Sequence, residues 1–254
     1  MSTLQATGFA QIPPDVGIAR NDASPKFRLG TEIQDCNGNT YRYVKAAEAI
    51  AYGELVTHTA KAAWDTTTVV DGAITANTTN ILHVDTNTAA WTINQWAGYW
   101  VCQAIGAGLG RLYQIKSHPA IAIAGECDVV LEDNMAEAFA DGAVLYIFNP
   151  WLVELTDADT ETIVGVGVGT ITATYYGFVQ TGGLHPGVLC DGSNGTAVVL
   201  NEPIVPYGTD PGQGQGCTEN DATSDFEVAN SPLIALAAST TDAGYVPAKF
   251  VRHV

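Results

Sequence analysis

The residues best equipped for chemistry are spread thinly along this 254-residue chain. Its five histidines (His58, His83, His118, His185, His253) stand alone, two of them directly before proline, and form neither HxH nor HExxH, the spacings that would set two imidazoles on one metal. Its five cysteines (Cys36, Cys102, Cys127, Cys190, Cys217) are an odd number without CxxC or a neighbouring histidine at ligand spacing. They read as reduced thiols, and Cys102 in GYWVCQAIG reads as a small buried hydrophobe. No serine sits in a GxSxG elbow; DGSNG reads as two successive tight turns. GAGLGR (106–111) and GVGVGT (165–170) alternate glycine, but neither has GxGxxG spacing, a phosphate-binding lysine or a following helix. In a β context such alternation leaves one face bare, so that another sheet can approach closely.

Acidic clusters at 126–133 (ECDVVLED), 157–161 (DADTE) and 219–225 (ENDATSD) supply oxygens suited to a hard cation. None follows the EF-hand pattern of spaced ligands, central glycine and terminal glutamate, so they read as solvated turns. No local feature singles out a carboxylate pair for glycoside hydrolysis among the 27 acidic residues. The expectation is therefore a protein that is not an enzyme and carries no cofactor and no metal. A triad assembled from distant residues is the one route to catalysis that motif reading does not address.

The elements that would have to position these residues are short strands. TYRYVKA, LYQIKS, AVLYIF, TITATYYGFVQ and TAVVLNEPIV alternate or run apolar for about four to eight residues, bounded by Gly, Asn, Asp or Pro. Turn dipeptides Asn37-Gly38, Asp71-Gly72, Asp141-Gly142, Asp191-Gly192 and Asn194-Gly195 punctuate them, which predicts hairpins and meanders. The Ala- and Glu-rich segments 45–52 and 133–141 are too short for more than one or two helical turns. The expected fold class is all-β and mainly antiparallel, made of barrel, β-tulip-like or sandwich modules with few short helices. NTYRYVKAAEAIAYGELV and RLYQIKSHPAIAIAGECDVVL echo each other, as two β subdomains of one plan would.

Residues 1–29 contain Pro13-Pro14, Pro25 and no sustained periodicity, and are expected to form an extended arm. Residues 30–206 form the β-rich body, as one piece or as two subdomains (30–63 with 101–206, and a small element at 64–100). Residues 207–232 are Gly-, Asp- and Thr-rich, too long for an ordinary connection, and are expected to be a surface loop. Residues 233–254 return to the body as strands. Trp64, Trp91, Trp96 and Trp100 crowd the small element; tryptophans of this kind are usually core, and alternatively stack on sugar rings.

Charge narrows the partners. Ten basic residues against 27 acidic give a net charge of −17, which repels nucleic-acid backbones and anionic lipid surfaces, so neither nucleic acid nor membrane is an expected partner. No stretch approaches the roughly 20 apolar residues of a membrane helix, and the N-terminal residues do not read as a signal peptide. Residues 1–45 are nearly balanced, five basic against four acidic. The arm can dock on a partner while the acidic body faces solvent.

The run GTEIQDCNGNTYRYVKAAEAIAYGELV (30–56) resembles the opening of phage head decoration and minor virion proteins, in which a Tyr-containing strand precedes an Ala, Ile, Ala, x, Gly, x, Leu or Val step. AEAFADGAVLYIFNP, VGVGVGTITATYYGFVQTGG and GVLCDGSNGTAVVLNEPIV are similar to the later parts of such β-tulip or β-barrel proteins. The likeness covers about two-thirds of the chain, and residues 64–100 have no counterpart in it. It implies a non-catalytic capsid decoration (cement) protein of a tailed bacteriophage. Such a protein is made in the host cytoplasm, associates with itself as a homotrimer and binds the major capsid protein on the outer virion surface to stabilise the head. On that reading Arg20, Lys26, Phe27 and Arg28 are capsid-contact candidates, and Asp210, Glu219, Asp221 and Asp225 belong to the exposed loop. The alternative is a receptor- or carbohydrate-binding module of a tail fibre or spike.

Overall fold

The computed structural model describes residues 10–11, 17–59, 68–86, 90–103, 111–158, 161–191, 197–217, 231–239 and 244–251. The described residues form strands and turns, with no helix. Eighteen strands follow in order. The first four are β1 (Ala10–Gln11), β2 (Glu32–Gln34), β3 (Thr40–Ala46) and β4 (Leu55–His58). Next come β5 (Val69–Val70), β6 (Ile81–Thr86), β7 (Trp100–Gln103), β8 (Tyr113–Ser117), β9 (Gly125–Leu131) and β10 (Leu145–Phe148). The last eight are β11 (Leu152–Leu155), β12 (Gly165–Gly167), β13 (Tyr176–Gly182), β14 (Leu184–Cys190), β15 (Ile204–Pro206), β16 (Gly214–Gly216), β17 (Leu233–Ala235) and β18 (Gly244–Phe250). The chain divides into two compact units, residues 1–59 with 150–254, and residues 60–149.

The first unit holds two barrels. In the first, the strands run β4-β11-β3-β13-β12 and β12 pairs back to β4, closing the ring. Every pairing is antiparallel except β3 with β11. Val44, Ala46, Val56, Val153, Ile171 and Val179 fill its interior. The second barrel runs β15-β16-β14-β18-β17, and an antiparallel bridge between Pro203 and Ile234 returns β17 to β15. Here too a single pairing, β14 with β16, is parallel. Exchanging β3, β4, β11, β12 and β13 for β14, β15, β16, β17 and β18 converts one wiring into the other. The first unit is therefore one five-stranded barrel topology built twice.

The second unit is a six-stranded sheet, β10-β7-β8-β9-β6-β5. An antiparallel bridge between Val69 and Val144 ties β5 to the approach to β10, closing the ring. The half β5-β6-β7 maps onto the half β8-β9-β10 with every antiparallel pairing preserved, so this unit has an internal pseudo-twofold. Its interior is apolar and aromatic, with Leu82, Val84, Trp91, Trp96, Val129, Leu131, Met135, Phe139, Leu145 and Ile147 buried.

One local device recurs in all three barrels. Four isolated bridges, Ile50 with Ile171, Ile74 with Phe139, Trp91 with Ile121 and Val198 with Ser239, join connections that follow different strands. Three residues after a bridge residue the backbone turns left-handed, at Gly53, Asn77, Asn94, Ala124, Gly142, Thr174 and Asn201. The left-handed residue reverses the chain so that it re-enters the sheet, which explains the preference for Gly and Asn there. The echo between 39–56 and 111–131 is this device: Ile50 and Gly53 before β4 match Ile121 and Ala124 before β9.

Several expectations change. The small element does not end at residue 100, because β7 pairs with β8 and β10 and so draws 101–149 into the second unit. Segments 45–52 and 133–141 are not helical: Lys45 and Ala46 finish β3, and Ile50 and Phe139 make bridges. Residues 207–217 are not an open loop, since Tyr207–Gln213 is the turn joining β15 to β16. The glycines of GVGVGT do permit close approach: a Cβ on Gly165 would lie 2.9 Å from the Val179 side chain, and one on Gly169 2.7 Å from Ala19.

Candidate interaction surface

The described part of the N-terminal segment does not extend away from the protein. Residues 17–31 cross the outer face of β3 and β13 and cover it, and residues 32–34 continue as β2, paired antiparallel with β3 in the sheet. Asp22 and Tyr176 exchange backbone hydrogen bonds (2.8 and 2.9 Å), and Leu29 and Ile33 bury with Tyr41, Tyr43 and Phe178 in a small second core. Phe27 sets its ring 5.2 Å from Tyr43 and 5.6 Å from Phe178. The segment lies flat because β3 carries aromatic residues on its outward positions, so covering it removes a broad apolar area from water.

Four capsid-contact candidates thus have different situations. Arg20 is committed to its own chain: its guanidinium grips the Asp22 carboxylate (2.9 and 3.0 Å). The same Arg20 hydrogen bond holds the Asp22 carboxyl below the usual carboxylate range, against the opposing effect of burial. Phe27 is partly buried in the second core. Lys26 and Arg28 are exposed, and the Lys26 backbone N–H donates to the Tyr43 hydroxyl (3.1 Å). Of the loop candidates, Asp210 is half-buried in the β15–β16 turn, its carbonyl accepting from Gln213 N–H (3.2 Å). Glu219, Asp221 and Asp225 lie outside the described residues, as does Trp64. Trp91 and Trp96 are 3% and 7% exposed and meet edge to face, so these two are core and not a sugar-stacking platform.

Sequence reasoning did not find the outer face of the second barrel. β14, β18 and β17 are the counterparts of β3, β13 and β12, and in register Tyr245 opposite Leu189 takes the place of Tyr176 opposite Lys45. Nothing corresponding to residues 17–31 covers this face among the described residues. Tyr245 is 57% exposed, Leu184 55% and Leu236 41%, and Pro186 and Lys249 are exposed beside them. The alternation of β18 (Tyr245 and Lys249 out, Val246, Ala248 and Phe250 in) is the only sequence signal that points to it.

One edge of the face is anchored by the first barrel. The turn Ala51–Glu54 brings Tyr52 to 5.6 Å from Tyr245 and 5.4 Å from His185, and Leu189 N–H donates to the Gly53 carbonyl (2.8 Å). His185 is 1% exposed, and its Nδ1 accepts from Gly187 N–H (3.2 Å). Burial pushes its pKa down to about 4, so the imidazole is neutral at physiological pH. Leu55 and Val166, on strands of the first barrel, bury with Val188, Cys190 and Val246 of the second. The two barrels of this unit therefore share a core, and the exposed face is held on a rigid support.

In the second unit, His83 on β6 faces Asp128 on β9 as a direct cross-strand pair, with Nδ1 2.5 Å from a carboxylate oxygen. Asp71, Glu126 and Cys127 line the same shallow cleft. Cys127 is a poor nucleophile there, because burial pushes its thiol up to about 11. Among the described residues no three His, Cys, Asp or Glu side chains group so as to hold a metal ion. Comparison with known protein families, characterised proteins and solved structures gives no match for this chain.

Proposed function

We propose that this chain is a non-catalytic capsid decoration (cement) protein of a tailed bacteriophage, binding the major capsid protein on the outer surface of the head and stabilising it as a homotrimer. The observation that best supports an adhesive role is the contrast between two copies of one barrel. The first has its outer aromatic face sealed by the chain itself; the second presents Leu184, Leu236 and Tyr245 to solvent. Exposed apolar faces on rigid sheets mark interaction surfaces. Repetition on a symmetric shell turns a modest contact into firm attachment through effective concentration.

The net charge of −17 suits this role, since it keeps the free protein from associating nonspecifically and directs it to a basic partner surface. The particle itself supplies the test. Purified virions of the phage encoding this chain should carry it in many copies, ordered on the outer shell lattice in electron micrographs. Its absence from mature particles, or turnover of a substrate by the purified protein, removes the proposal.

A further inference from the structure

We infer that the outer face of β14, β18 and β17 is a docking site for a basic, aromatic-bearing segment of a partner protein, bound as residues 17–29 are bound on the matching face of the first barrel. The inference deepens the adhesive reading by naming the chemistry of the segment that the partner would offer.

The chain supplies its own template. On the first barrel the covering segment runs through bends and turns, exchanges main-chain hydrogen bonds with β13 at Tyr176, and sets Phe27 against the touching pair Tyr43 and Phe178. It is also basic: Arg20, Lys26 and Arg28 stand against the single acid Asp22. On the second barrel Tyr245 occupies the Tyr176 position. Gly187 packs so closely under the tyrosine that a Cβ there would sit 3.1 Å from that of Tyr245. Leu236 lies beside β18 with its N–H on the Pro247 carbonyl, and Leu184 stands opposite Lys249 farther along the same face.

Charge selects the occupant. The chain carries a net charge of −17, and the field of such a body reaches its surface faces. A basic segment is attracted by the same field. The patch also continues directly into the contact that Tyr52 and Gly53 make with Tyr245, so an occupant extends an interface already built rather than founding one.

The experiment uses the full chain and a labelled synthetic peptide with the sequence of residues 17–30 (GIARNDASPKFRLG), with binding read by fluorescence anisotropy. Saturable binding is expected. It should weaken about tenfold or more in the Leu184→Ser/Tyr245→Ser double variant and with a peptide in which Phe27 is alanine. It should also weaken as salt is raised. Both protein substitutions are at exposed positions, and thermal melting reports that the variant is folded. No binding overturns the inference. So does binding that the double variant leaves intact, which would mean exchange with the chain's own segment on the first barrel. Self-association that the double variant abolishes also overturns it, because the face would then belong to a second copy. Peptide binding and the presence of the chain on virions are separate readouts, so failure of either leaves the other standing.

Discussion

Ala124 holds its backbone at a φ of 54°, and Thr174 at 71°, where most copies of the same turn carry Gly or Asn. A side chain with a Cβ pays about 1–2 kcal/mol in that region, so Ala124→Gly is expected to raise stability by roughly 0.5–1 kcal/mol after the extra chain entropy of glycine is counted. The converse holds at Gly53, whose φ is 83° and whose Cβ would lie 2.6 Å from the Gly187 carbonyl oxygen. Gly53→Ala should cost more than the backbone strain alone and loosen the joint between the two barrels of the first unit, and urea denaturation of both variants measures the pair. His185 sets a pH dependence of definite sign. Its folded pKa of about 4 lies below the ordinary 6.5, so its contribution is complete above pH 6.5 and drains away as pH falls towards 4, about 3 kcal/mol in all. Asp35 acts in a lower window. Burial alone would raise its pKa, but hydrogen bonds from Asn39 backbone and side chain, the Tyr41 hydroxyl and Asn37 N–H outweigh it. Its share is therefore lost only as pH falls below the usual carboxylate range. Denaturation midpoints at pH 7 and 4.5 should differ in the wild type and converge in a folded His185 variant, and a flat wild-type profile over that interval would refute the assignment.

At the scale of elements, strands were legible and their partners were not. TYRYVKA is β3 over the same residues, and AVLYIF and LYQIKS contain β10 and β8, because Val, Ile and Tyr between turn residues specify extended chain locally. Which strand each one joins depends on contacts far apart in sequence: β3 meets β13 across more than a hundred residues of intervening chain. The outward tyrosines of β3 illustrate the loss. Tyr41 and Tyr43 look like the exposed half of an alternating strand, yet both are buried because the N-terminal segment covers them. That segment, Pro-containing and aperiodic, reads as an arm, and its local sequence holds no sign that it lies on its own barrel. A prediction follows from its role as a cover. Phe27→Ala should destabilise the first unit by about 2 kcal/mol, less than a fully buried phenylalanine would, and raise binding of a hydrophobic dye as Tyr43 and Phe178 become accessible. Substituting Lys26 by alanine should leave stability within about 0.5 kcal/mol, since its ammonium is exposed and the hydrogen bond it gives Tyr43 comes from its backbone N–H. Wholesale removal of residues 1–29 is accordingly a poor probe of attachment, because it strips a face of the first barrel as well as any partner contact.

For the whole molecule, the duplicated topology turns one connection into a measurement of how the chain is assembled. In the second barrel the strands equivalent to β4 and β11, namely β15 and β16, are joined by the seven residues Tyr207–Gln213. In the first barrel the same connection contains the entire second unit, residues 60–149. The ends of that excursion are already tied within the first unit: Thr59 N–H donates to the Leu152 carbonyl (3.1 Å), and Val153 pairs with His58. A barrel that closes around these contacts has no need of the excursion for its ring, and the entropy of closing a short connection is less than that of a long one. Replacing residues 60–149 by the sequence of 207–213 should therefore give a chain that folds cooperatively, keeps the exposed Tyr245 face and unfolds at least as reversibly as the parent. Residues 60–149 alone should fold too, because their pseudo-twofold barrel closes on itself through Val69 and Val144. Backbone amide spectra decide both cases: dispersed signals from each fragment that superpose on those of the full chain support two independently closed units. Collapse of either fragment to an unfolded spectrum would show instead that the sheets require each other's presence to form.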